Sequence, residues 1–359
     1  MKHYLQIIQE LIPTVLEQDL YSPIRETSID SIDLVVIRVA LEKHFGFEIS
    51  DTTWFGYNTL NEAIQHFIDN SDLQYLKSEI RRTDIFSEEI IEISMPQMAH
   101  SSLSESWLLK YLGDKHWNLL SKGFNKKSSE FADEKGNRLY ATFIRITLKT
   151  TNLKCFNENE QICFTSKIEG FGNNTFISTI LAKSSQNAIH SNLITTFSTR
   201  NNSNNNEIIK GKTENLENAI IQIANMPFQL NEYRLLKKGL LEEINTEFGI
   251  FPISDEVLYS CEYNLNPYYE INGVGLLYFA AYPIISDTCL LNYFDNNRYL
   301  SFHTEYRDIF YYGNCNSDDK IIFTLNFFVS DDKYIKTITT LFRKSDNKMI
   351  AKMITVKTI

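Results

Sequence analysis

Near the N-terminus, Asp30-Ser31-Ile32-Asp33 opens a run that continues Leu34-Val35-Val36-Ile37-Arg38-Val39-Ala40-Leu41-Glu42-Lys43-His44-Phe45-Gly46. Asp30 or Ser31 can cap a helix there, and Gly46 suits its C-terminal stop. A helix N-terminus presents free N–H groups and the positive end of the dipole, so a phosphodiester on Ser31 would be well placed. Read alone, the tetrapeptide is an ordinary capped helix with Asp33 in its first turn.

The surroundings change that reading. A helix-like segment, Tyr4 to Leu16, comes before the serine and is separated from it by a long loop containing Pro23. Phe47-Glu48-Ile49, a short turn and an amphipathic segment from Thr59 to Phe67 follow. This order, with Glu42 and Phe45-Gly46-Phe47-Glu48-Ile49 after the serine helix, resembles the acyl and peptidyl carrier proteins across residues 1–70. The resemblance implies a four-helix bundle with phosphopantetheine on Ser31, installed by a phosphopantetheinyl transferase, and so a tethered thioester. Carriers often display acidic residues along the serine helix for basic partners, but here Ile32, Val36 and Val39 share that face. Either they are core, the usual fate of such a stripe, or they form an exposed apolar docking patch for a tethered catalytic domain.

A chain of 359 residues has room for two or three domains, and with 43% hydrophobic residues it is globular. Residues 1–70 hold four Lys/Arg against eleven Asp/Glu, most of the formal charge of −10. The acidity is thus mainly the carrier's, and no nucleic-acid footprint is present. Lys2, Glu10 and Glu17 argue against a signal peptide, and the apolar run Val274 to Ile285 is too short for a bilayer. Five scattered cysteines without a CxxC pair or metal spacing fit a reducing cytoplasm, with neither metal nor membrane.

Beyond residue 88 one pattern occurs twice. Glu89–Ile93 reads as a strand and Leu103–Leu120 as a helix, followed by strands at Arg138–Lys149, Gln161–Glu169, Thr175–Lys183 and Ala188–Thr199. In the second half Glu256–Asn264 reads as a strand and Val274–Phe294 as a helix. Strands follow at Tyr306–Tyr312, Lys320–Val329, Tyr334–Lys344 and Lys348–Lys357. A strand, a long apolar helix and a four-strand antiparallel meander describe a hotdog fold, so two copies predict a double hotdog, with each helix wrapped by a sheet. The expected class is α+β: carrier 1–72, linker 73–87, first hotdog 88–200, polar loop and connecting helical segment 201–250, second hotdog 251–359. The tract Asn201-Asn202-Ser203-Asn204-Asn205-Asn206 reads as a disordered loop.

In a hotdog, a thioester binds where the central helix begins. The second such place reads Asn272-Gly273-Val274-Gly275-Leu276-Leu277-Tyr278-Phe279. The Gly273 N–H and the Asn272 side chain could both donate to a thioester carbonyl. Equally, Asn272 could cap the helix and the glycines pack on a sheet. Tyr278 on the early helix face is either core or catalytic. At the first entrance His100 stands where a hotdog dehydratase keeps its general base, but the Gly and Pro such an enzyme needs after it are missing. His100 then reads as a polar loop residue, and His116 and Trp117 as packing. Ser102 or Ser104 can cap the helix.

Met95-Pro96-Gln97-Met98 running into Leu103-Ser104-Glu105-Ser106-Trp107-Leu108, the stretch Asn272 to Tyr282, and Tyr311-Tyr312-Gly313-Asn314 resemble a narrower family. This is the bifunctional acyltransferase/decarboxylase of leinamycin biosynthesis, and the likeness spans residues 88–359. It implies methylmalonyl-CoA as acyl donor, a propionyl-carrier product, and partners among polyketide or nonribosomal peptide synthase modules. It also implies that a tyrosine of the first hotdog carries the acyl group. Tyr140 is the tyrosine of the matching strand, though its register is open and Thr142 is a neighbouring alternative.

Decarboxylation of a malonyl-type thioester leaves an enolate, which a fixed amide pair such as Asn272 and Gly273 can stabilise without metal or redox cofactor. Tyrosine attack is harder, because a phenol with a free pKa near ~10 needs a helping neighbour. The expected function is therefore an acyltransferase/decarboxylase that loads a decarboxylated short acyl group from an acyl-CoA onto a carrier arm. The alternatives are a hotdog thioesterase or dehydratase-like enzyme acting on the carrier-bound chain, or a non-catalytic docking scaffold.

Overall fold

Two separate sets of apolar side chains divide the chain between Arg82 and Thr83. The computed structural model describes residues 2–45, 47, 49–79, 85–201, 204–211, 218–294 and 299–359.

The first unit contains helices α1 (Lys2–Gln9), α2 (Ser31–Phe45), α3 (Asp51–Trp54) and α4 (Leu60–Glu79). Ile8, Leu20, Ile37, Leu41, Ile64 and Phe67 are fully buried in its core. α1 stops at Gln9, short of the expected Leu16, because Pro13 has no N–H with which to continue it. Asp30 caps α2: its carboxylate accepts the Asp33 N–H at 2.8 Å, and the Asp33 carboxylate accepts the Asp30 N–H at 3.2 Å. Ser31 is thereby the first helical residue. The side chains of Ser31 and Ile32, and Gly46, lie outside the described residues. Val36 and Val39 are 37% and 55% exposed, while Ile37 and Leu41 form the buried stripe. α4 continues to Glu79, so part of the expected linker is helix.

The second unit begins with β1 (Ile85–Glu92), the small hairpin β2 (Met98–Ala99) and β3 (Ser102–Leu103), and α5 (Glu105–Phe124). Ser104 caps α5, accepting the Trp107 N–H at 3.2 Å. Strands β4 (Tyr140–Thr150), β5 (Gln161–Phe171), β6 (Thr175–Lys183), β7 (Ala188–Asn201) and β8 (Asn204–Lys210) follow. β8 pairs with β7, so most of the asparagine tract is strand where a disordered loop was expected. α6 (Phe228–Lys237) and the hairpin β9 (Glu243–Thr246) and β10 (Gly249–Pro252) lead to the second copy. That copy has β11 (Tyr259–Asn264), the short α7 (Pro267–Glu270), α8 (Ala281–Tyr293), β12 (His303–Tyr311), β13 (Lys320–Ser330), β14 (Tyr334–Arg343) and β15 (Lys348–Thr358).

The main sheet runs β1-β5-β6-β7-β4-β12-β15-β14-β13-β11. Outward from the centre, both halves have the same order: the strand after the helix, then the meander in reverse, then the strand before the helix. The two expected sheets join edge to edge, with Arg145–Lys149 of β4 paired to Tyr306–Phe310 of β12. Joining there removes an open edge from each half. α5 and α8 share one apolar core, in which Leu109 and Leu112 pack with Leu277, Ala281 and Ile285.

α8 begins at Ala281, not at the expected Val274. Pro283 is the reason. A proline fits the first turn of a helix, where its missing N–H has no partner to lose, but would break the interior of one that began at Val274. Residues 272–279 therefore form a loop, and Asn272 and Gly273 are not at a helix N-terminus.

Candidate active site

Pairing between β4 and β12 stops at Arg145 and Phe310. Ahead of that point β4 carries a bulge between Phe143 and Arg145, and its first residues, Tyr140 to Ile144, face Tyr311 to Asn314 across a cavity of about 1190 Å³. Gly113 and Asp114 of α5 line it from the inner face of the sheet, and Tyr233 and Lys237 of α6 from the outer face. That volume is at or beyond the upper end for small-molecule sites, ample for a thioester on a long arm.

The loop 272–279 forms one wall and is held from within. The Asn272 side-chain oxygen accepts the N–H groups of Val274 (3.1 Å) and Leu276 (3.0 Å), and Gly275 takes φ +80°, which glycine adopts without strain. Asn314, following β12, anchors the far end: its side-chain oxygen accepts the Leu277 N–H at 2.8 Å, and its amide donates to the Leu277 carbonyl at 3.3 Å. The Tyr311 hydroxyl donates to the Phe279 carbonyl at 3.0 Å. With its oxygen occupied, Asn272 has only its Nδ2–H groups left to offer. Gly273 also lines the cavity, and a Cβ added there would meet no atom within 4 Å. Its N–H bonds to no described residue. These are two donors on one loop at the cavity wall, groups of the kind that an oxyanion site uses.

Tyr140 lines the same cavity, its ring between Arg138 (5.4 Å) and Arg200 (5.3 Å). Arg200 also donates to the Val274 carbonyl, joining β7 to the loop. Thr142, two residues along on the same strand face, lines the cavity with its hydroxyl buried and without a partner; the same is true of the Tyr312 hydroxyl. Buried polar atoms of this kind are costly unless something fills their hydrogen bonds.

Tyr278 sits on the opposite wall, under the Lys110 ammonium at 5.5 Å. Burial, reinforced by the Asp114 carboxylate, raises its pKa, so the hydroxyl stays protonated and acts as a donor. Phe279 closes the floor against Gly113, where a Cβ would lie 2.4 Å from the ring.

Tyr140, Asn272, Gly273 and Tyr278 thus meet at one cavity. His100 does not line it. With Ser101 it forms the β2–β3 turn, both residues at positive φ, and its Nε2 lies 3.1 Å from the Leu300 carbonyl. His116 is fully buried between the Ser178 and Thr195 hydroxyls, each at 2.7 Å, and burial lowers its pKa to about 3. It is a neutral packing group, as the sequence suggested. Asn314, Arg200 and Tyr312 were missed as site residues. Only Asn314 and Tyr312 lay within a quoted motif, where nothing in their spacing assigned them a task. Among the described residues no group of three or more His, Cys, Asp or Glu is placed to hold a metal, and no helix is long and apolar enough to cross a membrane.

Residues 5–67 match the family model described as a phosphopantetheine attachment site. Solved structures with the fold of the second unit include an acyl-ACP thioesterase from Bacteroides thetaiotaomicron (TM-score 0.52, 10% identity, covering 76% of this chain and 97% of that one). A 12:0-ACP thioesterase from Umbellularia californica matches similarly (TM-score 0.51, 10% identity, 76% and 94%). The chain therefore joins a phosphopantetheine-binding carrier domain to a hotdog-fold domain. A protein assigned as an oleoyl thioesterase from Lactobacillus plantarum is also similar (TM-score 0.55, 9% identity, 77% and 97%). At these identities the likeness speaks to the fold alone. No curated protein matches the sequence. The carrier's cofactor is covalent phosphopantetheine.

Proposed function

We propose that the hotdog unit is an acyltransferase/decarboxylase that takes a malonyl- or methylmalonyl-type CoA thioester and loads the decarboxylated acyl group onto a phosphopantetheine arm, that of Ser31 included. The observation that carries this reading is the convergence of Asn272, Gly273, Tyr278 and Tyr140 on one cavity, in a chain that brings its own carrier. The bond between the α-carbon and the carboxylate breaks, and its electron pair forms an enolate. Asn272 Nδ2–H and Gly273 N–H donate to the enolate oxygen as charge develops there. Tyr278, held protonated, gives its hydroxyl proton to the α-carbon and regains one from solvent water. Tyr140 attacks the thioester carbonyl, the acyl C–S bond breaks and the Tyr140 hydroxyl proton goes to the departing CoA sulfur; the arm's thiol then takes the acyl group and gives its proton to the Tyr140 oxygen. The donor's identity comes from the family resemblance; the oxyanion pair comes from the loop.

A second reading, hydrolysis of the carrier-bound thioester, draws on Asp114, an exposed carboxylate at the cavity able to orient a water. Intact mass of the holo protein after incubation with methylmalonyl-CoA, beside Ser31→Ala, separates the two. A propionyl group on the phosphopantetheine arm, absent from Ser31→Ala, is expected. No adduct on a protein that carries the arm, with release of free acid from a pre-acylated arm, would favour hydrolysis and overturn the main reading.

A further inference from the structure

The chemistry above leaves a cluster of cations on the cavity rim unused. Lys210 ends β8, Lys237 ends α6 and Lys348 begins β15, and all three line the cavity despite their separation in sequence. They lie close enough that, after the larger effect of burial, Lys210 and Lys348 depress the Lys237 pKa. Arg234 and Lys238 flank them on the outer face. None of the five is ion-paired with a described carboxylate. Asp114, on α5 at the inner face, is the one acid among the described lining residues. Cations gathered this way repel one another, so the arrangement favours an anion. It also runs against the chain's overall charge of −10.

We propose that Lys210, Lys237 and Lys348 bind the phosphate end of a pantetheine thioester whose acyl end lies at Asn272 and Gly273. The inference rests on the reading that this cavity takes an acyl-pantetheine, and adds where the arm's charged end is held. Between rim and loop, the unpartnered Thr142 and Tyr312 hydroxyls suit the amide groups of such an arm. The phosphate has two sources, the donor CoA and the phosphodiester of a carrier-borne arm. Phosphate oxygens accept charge-assisted bonds from ammonium groups in either case.

The test is calorimetric titration of the full-length chain carrying Ser31→Ala, so that no tethered arm competes, with CoA, 4′-phosphopantetheine and pantetheine. The same titrations are made on that chain with Lys210→Gln, Lys237→Gln and Lys348→Gln together, and with Lys333→Gln as an exposed control away from the cavity. The triple variant should bind CoA more weakly by roughly tenfold or more, the control and parent alike, with pantetheine unchanged throughout. Loss for both phosphorylated probes identifies the phosphate next to pantetheine, shared by CoA and the carrier arm. Loss for CoA alone identifies its nucleotide phosphates. Equal CoA affinity in parent and triple variant, or an equal loss for pantetheine, overturns the phosphate site and leaves the acyl-pantetheine reading standing. A parent that binds none of the three probes overturns both.

Discussion

Arg307 on β12 donates to both carboxylate oxygens of Glu105, the first residue of α5, at 2.8 and 2.9 Å. The same guanidinium, fully buried, donates to Asp287 of α8 at 2.9 Å and to the Thr355 hydroxyl at 2.8 Å. One side chain of the second copy thus fixes the start of the first copy's helix and the middle of its own. Burial alone would raise the Asp287 pKa, but Arg307 and Lys357 hold it down at about 2. Arg307→Ala should destabilise the hotdog unit by about 3–5 kcal/mol, because Glu105 loses its guanidinium partner and Asp287 is left with Lys357 alone. Urea unfolding monitored in that unit measures this, and a loss below about 1 kcal/mol would mean that the network is not what ties the helices.

His116 sets a dependence of stability on pH. It remains neutral in the folded protein down to about pH 3, whereas an unfolded histidine takes a proton below 6.5. Between those values the unfolded state binds more protons, so stability is lost as pH falls, by roughly 1.4 kcal/mol per unit for this group. His303 adds a loss of the same sign, its pKa lowered to about 4 by burial and then by Lys154, Lys357 and His100. His116→Gln, which can still bond Ser178 and Thr195, should flatten the stability profile between pH 6.5 and 4 by about half. An unchanged slope would mean that His116 is protonated in the native state.

The oxyanion role of Asn272 can be separated from its structural one. Its Oδ1 holds the Val274 and Leu276 N–H groups, while its Nδ2 is the donor offered to the substrate. Asn272→Ala removes both. Asn272→Asp keeps the two backbone bonds and loses the donor. Both variants should lose decarboxylation by roughly a hundredfold, the ~3 kcal/mol typical of one oxyanion donor. Only the alanine should also lower thermal stability. Full turnover in Asn272→Asp would remove Asn272 from the chemistry.

Tyr140 and Thr142 compete for the acyl-carrying role. Both project from one strand face into the cavity, Tyr140 with its ring between two guanidiniums and Thr142 with an unpartnered hydroxyl. After a brief incubation with methylmalonyl-CoA in the Ser31→Ala background, peptide mapping should find the acyl ester on Tyr140. Tyr140→Phe should abolish it and Thr142→Val should not. An ester on Thr142 would exchange the roles, and none on either would mean direct transfer between thiols.

Both units were legible in the sequence because their signals are local and repeated. Asp30 and Asp33 cap a serine helix, and strand–helix–meander order recurs with turn residues between strands. The seam between β4 and β12 was not legible, since pairing of central strands from the two copies is a long-range event with no local marker. The start of α8 was misread although Pro283 marks it, because apolar residues from Val274 onward fit a buried helix and a tertiary loop alike. Tyr140, Asn272, Gly273 and Tyr278 could be named from their motifs. Arg200 and the rim lysines could not, because they come from strands and helices whose neighbours only the folded chain defines.

The serine helix offers a last, separable prediction. Val35, Val36 and Val39 are exposed while Ile37 and Leu41 fill the core, so three described apolar side chains on α2 face solvent at a cost that contact with a partner would recover. Such a patch suits an apolar partner surface better than the basic one that acidic carriers present themselves to. Val36→Glu changes the patch without touching the core or the Asp30–Asp33 cap. Phosphopantetheinylation should proceed as in the parent, and loading of the arm by the chain's own hotdog unit should slow several-fold, of the order expected from about 1 kcal/mol of lost apolar contact. Mass spectrometry of the holo variant over time reads both steps. Loading at the parental rate in a stably folded variant would show that the acyl group reaches the arm without this face, and would leave the exposed valines unexplained.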